Sequence, residues 1–256
     1  TPATERQPED SARAPLAHGG QVLALVSGKG APGTTTLAIG LAAALGHQDS
    51  RVVLVDSDLR GGGVAPYLDL DPRRGLIGLT VGPTTDEVVG AELQEASGFR
   101  VLAGIERPEM RDRVTSEQLV TALAVLREQF QLTIVDVGQS LPGVASDAAN
   151  TAVRSSDQVL VITTADLAGL WNARHCLRHL QESLGSPRER LGLVINRHAG
   201  RHEYGAAEVE RALGVRVMAT VPDDRKAAMR AARDQLPLIA VGGSAARQVA
   251  ALADEL

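Results

Sequence analysis

The stretch from Val22 to Ala42 constrains the fold of this chain more than any other. An apolar run, Val22-Leu23-Ala24-Leu25-Val26, leads into Ser27-Gly28-Lys29-Gly30-Ala31-Pro32-Gly33-Thr34-Thr35-Thr36, and then into Leu37-Ala38-Ile39-Gly40-Leu41-Ala42. Strand, glycine-rich turn and helix in that order are what an anion-binding loop requires. The glycines let the backbone approach the anion, and the first N–H groups of the helix point at it. The usual phosphate-loop pattern closes on Gly-Lys-Ser/Thr, whereas here Gly33 is followed by Thr34. The loop's only lysine is Lys29, and the chain has just one other, Lys226. In so lysine-poor a sequence, a lysine inside the glycine loop is hard to read as surface decoration.

Apolar runs alternate with helical patterns along the rest of the chain. Strands are expected at 21–27, 52–55, 99–102, 132–135, 158–163, 191–196 and 215–221. Helices are expected at 35–45, from Thr115 to about Phe130, and at 146–154, 165–184, 206–213 and 245–256. Thr115 with Gln118 has the spacing of a capping box, Gly46 reads as a helix stop, and Gly61-Gly62-Gly63 reads as a mobile turn. Near-continuous apolar strands separated by helices mean a doubly wound α/β fold, with a mostly parallel sheet and helices on both faces. Ligands of such sheets sit at the carboxyl ends of the strands. The glycine loop, the pair Asp56/Asp58 and Asp136 all fall there and can converge.

Composition removes several classes. At 256 residues and 44% hydrophobic, one α/β domain with a sizeable core is expected over 21–256. Residues 1–20, with three prolines and almost no large apolar side chains, are expected to be a disordered tail or linker. The start at Thr1 reads as a chain from which a further N-terminal domain is missing. A net charge of −5 argues against a strongly basic nucleic-acid binder. The single cysteine, Cys176, excludes an internal disulfide framework and a multi-cysteine metal site. No apolar run is long enough to span a membrane, and with no secretory signal the chain is expected to be cytoplasmic.

The run Lys29-Gly30-Ala31-Pro32-Gly33-Thr34-Thr35-Thr36 resembles the deviant Walker A loop of the MinD/ParA family of P-loop ATPases, which reads Lys-Gly-Gly-x-Gly-Lys-Thr-Thr. Val52 to Asp58 resembles that family's strand ending in Asp-x-Asp, and Leu132 to Asp136 its Walker B strand. Leu193 to Arg197 resembles its Val-Asn-Arg element, and Val221-Pro222-Asp223 its Ile-Pro-x-Asp turn. The resemblance covers most of the chain from about residue 21. It implies binding of ATP and Mg²⁺ by Gly28 to Thr36, with the Thr35 hydroxyl on the metal and Thr36 on the α-phosphate. Asp136, with Asp58, would hold the metal shell. Asp56 would orient the attacking water. Lys29 would be the signature lysine that crosses a dimer interface to the other protomer's phosphates. Asn196 would read the adenine edge beside Arg197, and Pro222 with Asp223 would pack on the base.

Two departures shape the expected activity. Thr34 replaces the lysine that normally neutralises the β/γ-phosphates, and the run after Walker B is Asp136-Val137-Gly138-Gln139-Ser140. Losing that charge weakens electrostatic stabilisation of phosphoryl transfer, so a weak, regulated ATPase is expected. The Gly33-Thr34-Thr35-Thr36 loop is similar to that of the TadZ/CpaE branch, whose members carry an N-terminal receiver-like domain and help place the Flp (tight-adherence, Tad) pilus secretion machine. The resemblance therefore implies an ATP-dependent homodimer that localises a partner machine and is itself recruited to the membrane or cell pole. The alternatives are a partition or division-site ATPase acting on DNA or membrane, and a non-hydrolysing nucleotide-dependent scaffold. Arg225, Lys226, Arg230 and Arg233 form the best DNA candidate, diluted by Asp223, Asp224 and Asp234 and read as a solvated helix face. The closing helix has an apolar stripe but an acidic end, so it should pack on the domain rather than on anionic lipid. His175/His179 and His198/His202 lack the further ligands of a zinc site. Trp171, the only tryptophan, reads equally as core or as a contact at a dimer or partner surface.

Overall fold

The computed structural model describes residues 19–30, 32–46, 51–143, 145–200 and 202–256. Eight strands form one sheet: β1 (Gln21–Ser27), β2 (Val52–Asp56), β3 (Gln94–Ala96), β4 (Phe99–Leu102), β5 (Leu132–Gln139), β6 (Gln158–Thr163), β7 (Leu191–His198) and β8 (Val217–Pro222). Their order across the sheet is β3-β4-β2-β5-β1-β6-β7-β8. Only β3, paired with β4, runs antiparallel among them. The helices are α1 (Thr34–Gly46), α2 (Val64–Tyr67), α3 (Asp86–Glu92), α4 (Ser116–Gln129), α5 (Asp147–Arg154), α6 (Leu167–Arg178), α7 (Ala206–Leu213), α8 (Arg225–Asp234), α9 (Leu238–Val241) and α10 (Ser244–Asp254).

The doubly wound reading holds because β1 is apolar on both faces. Val22, Ala24 and Val26 join one buried cluster, which includes Leu119, Leu123 and Leu126 of α4 and Ala173 and Leu177 of α6. Leu23 and Leu25 join the other, with Leu37 and Leu41 of α1 and Val249 and Leu252 of α10. Each such fully buried leucine contributes about 1.5–3 kcal/mol of transfer free energy. The apolar stripe of α10 is thus spent on the domain, as expected.

Several helix starts follow local rules. Thr115 and Gln118 form the expected capping box at α4. The side chains of Ser146, Asp166 and Asp224 cap α5, α6 and α8. Asp224 also accepts from Ser244 N at 2.8 Å, tying α8 to α10, and these hydrogen bonds hold its carboxyl below the usual range.

Some boundaries differ from expectation. β5 runs past Asp136 to Gln139, with one residue skipped against β1: Leu25 faces Asp136 and Val26 faces Gly138. Such a bulge re-aims side chains at a strand end. The single helix expected over 165–184 is α6 followed by a wider π turn at His179–Ser183. α1 is described through Gly46, and the residues that follow, 47–50, lie outside the described residues. β3 and α9 were not expected, and the basic stretch read as a solvated helix face is α8. Of the stretch read as a tail, 1–18 lies outside the described residues, and Gly20 donates its N–H to Arg127 O at 2.7 Å.

Candidate functional site: a glycine loop among three carboxylates

The loop leaves β1 and enters α1 between β5 and β6, the two neighbours of β1. Ser27 Oγ faces Lys29 O at 2.8 Å and Gly138 O at 3.2 Å, joining the loop to the bulged end of β5. Gly33 has φ +99°, where a side chain is strained. A β-carbon there would also run into Asn196 Nδ2. A β-carbon at Gly28 would meet the backbone carbonyl of Asn172 on α6. Ala31 lies outside the described residues.

Lys29 sits at the mouth of the loop with its side chain 32% exposed. Its ammonium donates to Thr164 Oγ1 at 3.0 Å and lies 3.7 Å from Asp166 Oδ2. The Thr164 hydroxyl donates in turn to Asp166. That hydrogen bond, with the charge of Lys29 among the smaller causes, holds the Asp166 carboxyl below its ordinary value. Thr164 and Asp166 were missed in the sequence. The available signal was a polar pair at the carboxyl end of β6, beside β1. Thr34, where the usual lysine would be, is buried, and its Oγ1 has no partner among the described residues.

Three carboxylates gather beside the loop. Asp136 is fully buried. Burial is the main cause that raises its pKa from 3.8 to about 6, opposed by a hydrogen bond from Thr35 and reinforced by the charge of Asp58. Its Oδ1 accepts from Gly138 N at 3.3 Å, while Oδ2 is buried without a partner. Asp56 is also raised well above the ordinary value, by burial first and then by Asp136. Its two oxygens accept from the backbone N–H of Asp58 and Val64, each at 3.2 Å.

Asp56 is 2% exposed, with one backbone N–H on each oxygen. Asp58 lies just past the strand, half-buried, against Gly138, whose φ of +69° leaves no room for a side chain. Burial raises its carboxyl too, and the backbone of Arg60 and Gly61 opposes the shift.

A cleft of about 480 Å³ opens beside Gly33 and Thr36 and brings Asn196, Arg197, Pro222 and Asp223 to one place. Asn196 Nδ2 donates to Pro32 O at 2.7 Å, so part of this side chain braces the loop. Arg197 is held at φ +55°. Asp223 donates its N–H to His198 O at 3.0 Å and accepts from Arg225 Nε at 3.1 Å. The orphaned Asp136 oxygen beside Thr35, the glycine cradle and this cleft fit a nucleotide with a divalent cation.

The family model of the CobQ/CobB/MinD/ParA nucleotide binding domain (CbiA) matches residues 23–238. The chain belongs to this family. It is 25% identical over 211 residues to an uncharacterized ATP-binding protein of Methanocaldococcus jannaschii, covering 80% of this chain and 76% of that one. The fold matches a ParA family ATPase from Chlorobium tepidum with a TM-score of 0.83 at 20% identity, over 92% of this chain and 99% of that one. It also matches septum site-determining protein MinD complexed with Mg-ADP from Pyrococcus horikoshii, with a TM-score of 0.73 at 19% identity over 92% and 95% of the two chains.

Features weighed outside the loop fall into place on this nucleotide binding domain. The basic cluster of α8 is largely paired with acids: Arg225 with Asp223, and Arg230 and Arg233 with Asp234. His175 faces Arg178 at 2.8 Å and stacks edge-on with Trp171. His179 is buried near Asn150, and burial lowers its pKa. Among the described residues no group of three His, Cys, Asp or Glu could by itself hold a metal. Nor is any described helix long and apolar enough to cross a membrane.

Proposed function

We propose that this chain is a MinD/ParA-like ATPase that binds Mg-ATP at the loop, hydrolyses it slowly and uses an ATP-dependent homodimer to localise a partner machine. The observation that carries the reading is the placement of charge. The loop has an uncharged, buried Thr34 where a lysine is usual, and its one cation, Lys29, is held at the mouth by Thr164 and Asp166. Bound ATP supplies a γ-phosphoryl group whose transfer depends on positioning and electrostatic stabilisation. The backbone N–H groups of Gly28, Gly30 and Gly33, with Thr34 and Thr36, hold the phosphates, and Pro32 shapes the turn with its carbonyl on Asn196. Thr35 and Asp136 hold the cation shell, with Asp58 as the less buried carboxylate beside it, and Asn196, Arg197, Pro222 and Asp223 line the base. Lys29 exchanges its own Thr164 and Asp166 for the phosphates of a second protomer.

The Thr34 loop supports the TadZ/CpaE branch, and with it the Flp pilus secretion apparatus, as the partner machine. The acid-paired arginines of α8 and the buried stripe of α10 weigh against direct use of DNA or membrane. Sedimentation with and without Mg-ATP, in native and Lys29→Ala protein, tests the reading alongside ATP turnover. The native chain dimerises with Mg-ATP, and Lys29→Ala stays monomeric. Equal dimerisation of the two removes the cross-dimer role of Lys29. Intact ATP binding with no turnover at saturation makes the chain a nucleotide-dependent scaffold instead.

A further inference from the structure

A second concave surface lies next to the glycine loop but outside the nucleotide cleft. Between α6 and α7 a groove of about 620 Å³ is floored by Leu170 and Leu213 and walled by Leu167, Trp171 and Tyr204. The wall side chains are 74%, 58% and 42% exposed, which core packing does not explain. Clustered exposed Leu, Trp and Tyr around a concavity mark an interaction surface rather than scattered surface apolarity. The rim is cationic. Arg174 reaches only the Ala212 carbonyl, at 3.4 Å, and neither it nor Arg211 pairs with a carboxylate among the described residues. The one rim carboxylate, Glu208, is engaged in capping α7 by accepting from Gly205 N at 2.8 Å.

The groove is also joined to the loop. α6 is capped by Asp166, the residue that holds Lys29, and its Asn172 carbonyl backs directly onto Gly28. Tyr204 is fixed by its N–H to Ala165 O at 3.1 Å, within the same β6–α6 connection.

We propose that this groove docks an amphipathic helix of a different protein, with apolar anchors on one face and Asp or Glu along its flanks. A trough between two helices accepts a third through anchors at i, i+3 or i+4, and i+7. The unpaired Arg174 and Arg211 select acidic flanks. A second copy of this chain fits less well. A two-fold contact would set the same arginine rim against itself, and a head-to-tail contact would leave one groove unfilled unless it closed into a ring. The partner so described deepens the positional reading above, because a segment docked here lies one helix away from Lys29.

Trp171, the only tryptophan, is a built-in reporter. The probe is a synthetic helical peptide of about five turns with Leu and Phe on one face and Glu on both flanks, compared with the same peptide carrying Lys in place of Glu. In nucleotide-free protein the Glu peptide shifts Trp171 emission saturably and binds at least about tenfold more tightly than the Lys peptide. Arg174→Glu/Arg211→Glu reverses that preference, and Leu167→Asp abolishes binding while leaving ATP binding intact. Equal binding of the two peptides, no Trp171 response, or an unchanged preference in the charge-reversed variant overturns the proposal. So does concentration-dependent self-association that Leu167→Asp removes, since a second copy then fills the groove. ATP binding and Mg-ATP dimerisation are measured separately, so failure here is distinguishable from failure of the ATPase reading.

Discussion

Asp136→Asn should make the nucleotide-free protein more stable, although it removes the residue proposed to hold the cation shell. The Asp136 carboxyl is fully buried and raised from 3.8 to about 6. The folded chain therefore keeps a proton that the unfolded chain loses between about pH 4 and 6, so native stability falls as pH rises through that window and levels off above it. At about 1.4 kcal/mol per pH unit the gap corresponds to about 3 kcal/mol of strain above pH 7. Asparagine carries no charge, but its amide would replace an oxygen, Asp136 Oδ2, that has no partner. A buried unsatisfied group costs about 1–2 kcal/mol of that gain, leaving about 1–2 kcal/mol net. For a chain of this size that is a rise in melting temperature of about 2–8 °C. Loss of the Asp136 charge also relieves Asp56, which it raises. Thermal unfolding of both proteins without nucleotide at pH 8 and pH 4 measures the effect. The advantage present at pH 8 disappears by about pH 4, where the native carboxyl is itself protonated. A variant less stable at pH 8, or a gain independent of pH, refutes the reasoning. Mg-dependent ATP binding should weaken in the same variant.

Three further substitutions probe the loop. Gly28→Ala forces a β-carbon into the Asn172 carbonyl, a backbone atom that cannot rotate away. It should cost about 1–3 kcal/mol in denaturant unfolding, and an unchanged midpoint would mean that α6 is not packed on the loop. Gly33→Ala meets both a left-handed φ and the Asn196 amide. Adding Asn196→Ala should recover the clash but not the roughly 1–2 kcal/mol of backbone strain, and strict additivity of the two changes in stability would exclude their contact. Thr34→Lys restores a cation at the phosphates and should raise ATP turnover by about tenfold or more. An unchanged rate would show that Lys29 already supplies all the charge the reaction uses.

The sheet was legible wherever an apolar run was bounded by turn residues. β1, β4, β6 and α7 have the expected limits, and the capping box of α4 was read correctly. β3 was not, because three residues with only Gln94 buried carry no alternation that a short window can detect. α8 was legible only as a solvated helix face without limits, because it buries only Ala227 and Ala231 within a polar charge run. The continuation after Arg178 looked helical, and it is, but with a wider turn that apolar spacing does not distinguish from α-helix. At the site, the glycine loop and the residues that line the cleft beside it were legible as motifs. The partners of Lys29 were not, since Thr164 lies 135 positions away and is brought close only by the pairing of β1 with β6. The different situations of Asp56 and Asp58 could not be read either. They depend on which oxygens the Asp58 and Val64 backbone reaches after the chain turns through Gly61-Gly62-Gly63.

The loop that organises the sequence has been redistributed rather than simply weakened. In the usual arrangement a lysine at the end of the loop answers the phosphates from within the same protomer. Here that position is a buried threonine, and the only cation stands at the other end, engaged by a hydroxyl and a carboxylate of the β6–α6 connection. An ammonium held by Asp166 is not available to phosphate until that contact breaks. The contact sits at the N-terminus of α6, the helix that carries Trp171 on its outer face and backs onto Gly28 on its inner one. Whatever moves α6 therefore acts on the loop's geometry and its charge together. On the function proposed above, a loop cation tethered in this way would keep the chain slow until the tether is released. That is the behaviour required of a switch, and on this proposal control of the nucleotide cycle would lie at the β6–α6 connection rather than in the carboxylates alone.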